Sequence, residues 1–214
     1  PYKYIEATKD PLKKSVTEVS KNYIVEDEGA ERENYWAFAR EFEFKTPEFM
    51  AEKIEFSPAD KGTIIHRIFQ NLPIKSYTQK EFNKELQKLI DLYKITQEEA
   101  DLIEIDKILG FFNNDQIINL GKNARQILHE ESFLMKHIDD KNPENYYYIN
   151  GQIDLLFEFE DHIVLLDFKT DNTKREESYR NQLAYYKEAI EDAKGKKVTD
   201  SIIYWYNFKE FSKY

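Results

Sequence analysis

Two short stretches hold the residues best suited to chemistry, Gly151-Gln152-Ile153-Asp154 and Asp167-Phe168-Lys169-Thr170. The strand period of two puts Asp167 and Lys169 on one face and turns Phe168 to the other. Val164-Leu165-Leu166 runs straight into Asp167, so the acid ends a buried strand, where functional groups are often placed. If the strand bearing Asp154 pairs with this one around a turn at Glu160-Asp161, two carboxylates and one ammonium converge. Hard oxygen ligands of this kind hold Mg²⁺. The ion polarises a phosphoryl oxygen and lowers the pKa of a water, while a lysine orients the nucleophile or neutralises charge in the transition state. Taken alone, an Asp and a Lys two apart are more often a solvated face. An acid–base pair of Asp154 and Asp167 in another kind of hydrolase also fits the spacing, but it leaves Lys169 and His66 without a role.

Three further positions draw interest. His66 falls one residue beyond the apolar stripe Ile65, Ile68, Phe69 and Leu72, where a lone histidine is usually structural or solvated. Gln182 and Tyr186 are i, i+4 neighbours on one helix face, ordinarily a hydrogen-bonded core edge. Lys174, Arg175 and Arg180 follow the Asp-x-Lys stretch and are candidates for phosphate contact, although charge runs in loops are mostly solvated. His129, His137 and His162 have no supporting pattern.

The elements that must position these groups form a simple order. The apolar stripe predicts a helix over 62–72, and the capping boxes Thr78/Glu81 and Thr96/Glu99 open helices over 79–92 and 97–110. Shorter helical segments are expected over 115–120 and 122–128. Residues 130–137, 146–159 and 162–168 read as three strands, 177–194 as a helix with Tyr179, Gln182, Leu183, Tyr186 and Ile190 inward, and 201–208 as a last strand. The fold class expected is α/β (α+β): a short mixed sheet, with the helices before residue 130 as an added layer.

The bulk of the sequence narrows the classes. The 214 residues are 41% hydrophobic, enough for one sizeable core. There is no cysteine, which excludes disulfides, zinc–thiolate sites and iron–sulfur clusters in this chain. No apolar run spans a bilayer and no signal-peptide pattern opens the chain, so a cytoplasmic location and no membrane are expected. The chain begins with Pro1, and its polar opening 1–14 reads as a linker from a preceding region, with 15–214 as one domain, 15–129 mostly helical and 130–214 carrying the catalytic sheet. A net charge of −10 argues against affinity built on a broad basic surface. It is compatible with carboxylates clustered around cations.

The set Gly62-x-x-x-His66, Gly151-x-x-Asp154, Asp167-Phe168-Lys169-Thr170 and Gln182-x-x-x-Tyr186 resembles the RecB-type branch of the PD-(D/E)XK nucleases. The resemblance runs from about Val16 to the last strand. The Asp-Phe-Lys-Thr-Asp form and the missing cysteines are most similar to AddA-type helicase–nuclease subunits. It implies a restriction-endonuclease-like core in which His66, Asp154 and Asp167, with the Phe168 carbonyl, bind Mg²⁺, for which Mn²⁺ substitutes. It makes Lys169 catalytic, with Asp154, Asp167, Gln182 and Tyr186 also in the catalytic machinery. Gln182 and Tyr186 position DNA or the catalytic strand. Glu131 matches a looser glutamate feature, and Thr17 falls where a capping or packing role is expected. Phe168 replaces a commoner Tyr, and Gln152 sits where a basic residue is frequent.

The resemblance further implies metal-dependent cleavage of single-stranded DNA within an ATP-dependent helicase–nuclease that processes double-strand ends for recombinational repair. The chain holds no Gly-x-x-x-x-Gly-Lys-[Ser/Thr] motif, so ATP and the motor belong to a helicase domain elsewhere in the parent chain, and the partner implied is an AddB-like subunit. Two alternatives stand beside this: a free-standing single-strand exonuclease of the same superfamily, and a catalytically inactive scaffolding module.

Overall fold

Alternating apolar residues make the central strands, and capped amphipathic segments make the helices that cover them. The computed structural model describes residues 12–22, 56–139 and 142–214. The elements run β1 (Lys13–Ser15), α1 (Val16–Asn22), α2 (Pro58–Asn71), α3 (Gln79–Asp91), α4 (Gln97–Asp101), α5 (Ile105–Phe112) and α6 (Asp115–Asn123). They continue with β2 (Gln126–Asp139), β3 (Asn142–Glu158), β4 (His162–Lys169), α7 (Glu176–Lys194), β5 (Lys197–Trp205) and β6 (Glu210–Lys213). Lys13 and Lys14 stand in β1, at the end of the stretch read as a linker, whose first eleven residues lie outside the described ones.

The sheet is mixed. Its order is β1-β3-β4-β5-β6, with β2 on the other edge of β3. β3 is antiparallel to β2 and β4 and parallel to β1, while α7 carries the chain from β4 to its parallel neighbour β5. This is the α/β architecture expected, with two strands, β1 and β6, that the sequence reading did not contain. Val164, Leu166 and Phe168 of β4 face the helical layer α2–α6, and Ile163 and Leu165 face α7 and α1. Each face therefore closes its own core, and β4 is buried on both sides.

Several boundaries moved. The helix expected over 97–110 is two, α4 and α5, because Leu102 N–H and Ile103 N–H turn back to the carbonyls three residues earlier. The segment expected as a helix over 122–128 ends at Asn123, and Gln126–Leu128 pair with Leu156–Glu158 instead. The last strand expected over 201–208 begins at Lys197 and stops at Trp205, where a turn with Lys209 at φ 55° leads into β6. At the start of α1 the cap is Ser15, whose Oγ accepts from Glu18 N–H, and Thr17 is exposed.

α2 is the helix that reaches the candidate residues. Ser57 and Asp60 form a reciprocal capping box, Pro58 sits in the first turn, and Ile64, Ile65, Ile68 and Phe69 are buried. The Phe69 ring stacks on Phe168 with centroids 4.0 Å apart. Burying Phe69 and Ile68 contributes roughly 1.5–3 kcal/mol each, which pins α2 against the C-terminal end of β4. The approach is close at Gly62, where a Cβ would stand 3.0 Å from Thr170 Oγ1.

Candidate active site

β3 and β4 part company at the two acids. Their ladder covers Leu155–Glu158 against Ile163–Leu166 and ends there, although β4 stays paired with β5 through Lys169. Continuing the register one step would set Asp154 opposite Asp167. On that edge β3 regains a partner only at Tyr148–Asn150, which pair with β1. Gly151–Asp154 therefore spans a fork in the sheet, and both carboxylates stand at its apex.

Asp154 bridges the fork. Its Oδ2 accepts the Phe168 backbone N–H at 2.7 Å, and its Oδ1 lies 3.2 Å from His66 Nδ1. His66 sits four residues after Gly62 on α2, on the face turned to the fork. The flank position that made it look unremarkable in sequence is the one that clears the apolar stripe. On the other side of β4, Asp167 Oδ2 holds the Lys169 ammonium at 2.6 Å. Asp154 and Asp167 are both buried.

Burial and charge pull these groups apart electrostatically. Burial pushes Asp167 up to about 6, even though Lys169 opposes it, and Asp154 adds to the rise. Burial also pushes Asp154 up, but the charge and hydrogen bond of His66, with Lys169 and the Phe168 N–H, outweigh it and hold Asp154 below the usual carboxylate range. For His66 burial works against the imidazolium, and the Asp154 carboxylate overcomes it and raises the pKa. The Lys169 ammonium is likewise disfavoured by burial and retained by Asp167 and Asp154.

A glutamate joins this cluster, and it is Glu130. Ligand atoms of His66, Glu130 and Asp154 lie within 4.8 Å of one another. Glu130 has φ 54° and drops out of the β2–β3 ladder between the pairs His129–Leu155 and Glu131–Ile153. That turn of the backbone aims its side chain across at Asp154. Glu131 stays in the ladder, and its carboxylate lies 4.0 Å from Lys194 instead. Glu131, matched to the looser glutamate feature, stands outside this close trio. No sequence signal separates the two, since the choice depends on one left-handed residue.

The donors are an imidazole nitrogen and carboxylate oxygens, which suit a hard divalent cation. Asp167, expected in the ligand set, is engaged by Lys169, so the close trio contains Glu130 in its place. Gln182 and Tyr186 are buried on α7 behind Asp167, with Gln182 Nε2 donating to the Tyr186 hydroxyl. Tyr186 packs edge-on against Phe133 with centroids 5.6 Å apart. Of the basic residues near the site, Lys174 pairs with Glu210 and Arg180 lies over the Tyr214 ring, so both are engaged in packing. Gln152 Nε2 donates to the Glu130 carbonyl at 3.3 Å.

Comparison with known proteins gives the chain a family. The profile of the PD-(D/E)XK nuclease superfamily matches residues 34–212. The chain is 35% identical to the A subunit of an ATP-dependent helicase/nuclease of Clostridium botulinum (strain Okra / Type B1), over 99% of the chain and 17% of that relative. It is 34% identical to the protein of the same name from Clostridium novyi (strain NT), over 98% of the chain and 18% of the relative. The chain thus spans less than a fifth of the length of these curated relatives. Among the described residues no helix is long and apolar enough to cross a membrane. The motifs all lie within the matched residues, and the chain belongs to the PD-(D/E)XK nuclease superfamily.

Proposed function

We propose that this chain hydrolyses DNA phosphodiester bonds with a divalent cation, Mg²⁺ with Mn²⁺ as a substitute, held by His66, Asp154, Asp167 and the Phe168 carbonyl. Glu130 adds a further carboxylate. The observation that carries the reading is the convergence of His66, Glu130, Asp154, Asp167 and Lys169 on one fork in the sheet. A bound cation would supply charge neutralisation on a phosphoryl oxygen and acidify a water.

The chain's own residues do the rest. Asp154, fixed by the Phe168 N–H, keeps one oxygen in place while the other faces the cation site. Lys169 supplies the positive charge that orients the nucleophile and offsets charge gathering on phosphorus. Gln182 and Tyr186 back the strand that carries Asp167 and Lys169. The burial of Asp154 and Asp167 strengthens the interactions they make.

The name borne by the relatives, that of a helicase/nuclease component, supports placing this domain in a larger ATP-driven machine. In that setting a helicase domain of the same parent chain delivers a single strand. The partner is an AddB-like subunit, and the substrates are double-strand ends processed for recombinational repair in the cytoplasm. Residues 15–214 serve as the nuclease domain, and its sheet already takes in Lys13 and Lys14 through β1. Strand delivery by a motor removes the difficulty posed by the net charge of −10.

The test is incubation of the chain with linear single-stranded DNA in Mg²⁺, in Mn²⁺ and in EDTA, beside Asp167→Ala and Lys169→Ala. Metal-dependent cleavage lost in both variants supports the reading. Cleavage that survives both substitutions refutes the site.

A further inference from the structure

Lys169 has an aromatic neighbour as well as its acidic one. Its Nζ stands 4.5 Å from the centre of the Tyr179 ring, in the first turns of α7, and 2.6 Å from Asp167 Oδ2. The Tyr179 hydroxyl donates to Asp171 Oδ2 at 2.6 Å. Its ring meets Trp205 edge-on with centroids 5.7 Å apart. Trp205 is fully buried and donates Nε1 to Ser212 Oγ at 2.8 Å. The phenol is thus fixed at both ends, its oxygen by the loop that follows Lys169 and its ring by a tryptophan of β5. That loop is itself tied down, since Asn207 Nδ2 donates to the Thr170 carbonyl at 2.6 Å. Tyr179 also shares a helix face with Gln182 and Tyr186, at i, i+3 and i+7.

We propose that Tyr179 and Asp171 form a seat for the Lys169 ammonium, which keeps it in the site when a divalent cation competes for Asp167. This rests on the metal-dependent nuclease reading above. Without a seat, losing the Asp167 oxygen would strip a buried ammonium of its contact ion pair and leave it to the more distant pull of Asp154. A ring face solves the conflict, because it attracts an ammonium through its quadrupole while offering no oxygen or nitrogen atom to a hard cation. The cation and the lysine then stop competing for one ligand. Burial and the Asp171 carboxylate hold the Tyr179 phenol well above its usual pKa, so the hydroxyl stays a donor. The Asp171 carboxylate adds to the attraction on Lys169. Tyr179 acts through Lys169 and is a positioning residue.

The test reads Lys169 directly. The whole chain is treated with an amine-acylating reagent in EDTA and in Ca²⁺, and modification at Lys169 is followed by peptide mass spectrometry. In the wild type Lys169 stays protected under both conditions. In Tyr179→Leu it stays protected in EDTA, through Asp167, and labels about ten-fold faster in Ca²⁺, the loss expected for a desolvated cation–ring contact. Tyr179→Phe keeps the ring and stays close to wild type, and Asp171→Asn falls between. In cleavage assays with Mn²⁺, Tyr179→Leu lowers kcat about ten-fold and leaves KM for DNA unchanged.

Equal labelling of wild type and Tyr179→Leu in Ca²⁺ overturns the seat. Should Tyr179→Leu lose its folded circular dichroism signal, Asp171→Asn against wild type decides by the same comparison. A wild type that does not cleave DNA, with Tyr179→Leu labelling alike in EDTA and in Ca²⁺, sinks the nuclease reading and the seat together. One that protects Lys169 in Ca²⁺ through Tyr179 but does not cleave sinks only the former.

Discussion

Asp154 accepts the backbone N–H of Phe168 at 2.7 Å, across the gap where β3 and β4 cease to pair. A single carboxylate thus replaces a missing ladder bond and still presents an oxygen to His66. Its two jobs separate by substitution. Asp154→Asn keeps an acceptor for the Phe168 N–H, so the fold survives while the cation site loses a charged ligand. Asp154→Ala leaves that buried N–H without a partner, which costs about 1–3 kcal/mol. Thermal melting in EDTA should rank wild type and Asn above Ala, and Mn²⁺ binding should be lost in both variants. Equal melting of Asn and Ala would show that the bond across the fork contributes nothing.

Glu130 and Glu131 provide a sharper contrast. Glu130→Gln should weaken Mn²⁺ binding by about ten-fold or more, and Glu131→Gln should leave it unchanged, as calorimetric titration would show. Glu130→Gly should raise melting in EDTA, because glycine adopts φ 54° without the roughly 1–2 kcal/mol penalty of a side chain. The same variant should lose the tenfold in cation affinity. A gain in stability with a loss of binding marks a residue held in strain for its side chain.

These two glutamates also show how far the sequence could be read. The alternation into Asp167 and the turn at Glu160-Asp161 placed the acids on adjoining strands, and β4 and β3 meet as that pattern demands. The capping boxes at Thr78 and Thr96 start α3 and α4 where their side chains satisfy the first free N–H groups. No Gly or Pro marks the break between α4 and α5, so an unbroken apolar periodicity conceals it. His66 needed the family resemblance, because a flank position carries no chemistry of its own. The left-handed turn at Glu130 and the short strands β1 and β6 are settled by pairing partners far along the chain, which local pattern does not contain. Tyr179 read as core and does pack on Trp205, yet its other face holds Lys169.

pH acts on the site with one sign. Asp167 is raised to about 6, so its protonated form favours the folded state; that contribution is full below the ordinary value of 3.8 and is lost as pH rises through about 6. His66 is raised above 6.5, so its contribution is present below 6.5 and is lost above its own folded value. Asp154, held low, stays ionised throughout this range and does not titrate. The metal-free chain should therefore melt at lower temperature at pH 7.5 than at pH 5.5. Cation binding needs both protons removed, so the rise in melting temperature given by Mn²⁺ should grow over the same interval. Calorimetry in buffers of different ionisation enthalpy should register proton release near pH 6.5. A cation effect independent of pH would remove Asp167 and His66 from the ligand set.

Gly151 and Gly62 flank the fork from opposite sides, and alanine should affect them differently. At Gly151 a Cβ would stand 2.6 Å from the Phe133 ring and 2.9 Å from Val16 Cγ2. Both neighbours are packed, and Phe133 in turn supports Tyr186. Gly151→Ala should cost about 1–3 kcal/mol of stability and reduce cleavage through the shifted Tyr186. At Gly62 the single close neighbour is the Thr170 hydroxyl at 3.0 Å, which can rotate away. Alanine also favours the helix by roughly 0.5–1 kcal/mol over glycine. Gly62→Ala should thus melt within about 1 kcal/mol of wild type. Its effect should appear instead in Mn²⁺ affinity, because a few tenths of an ångström between α2 and Thr170 moves His66 relative to Asp154. Removing the hydroxyl by Thr170→Ala in the same chain should restore that affinity. If the double variant binds no better than Gly62→Ala alone, the closeness of α2 to β4 is not what sets the His66 position.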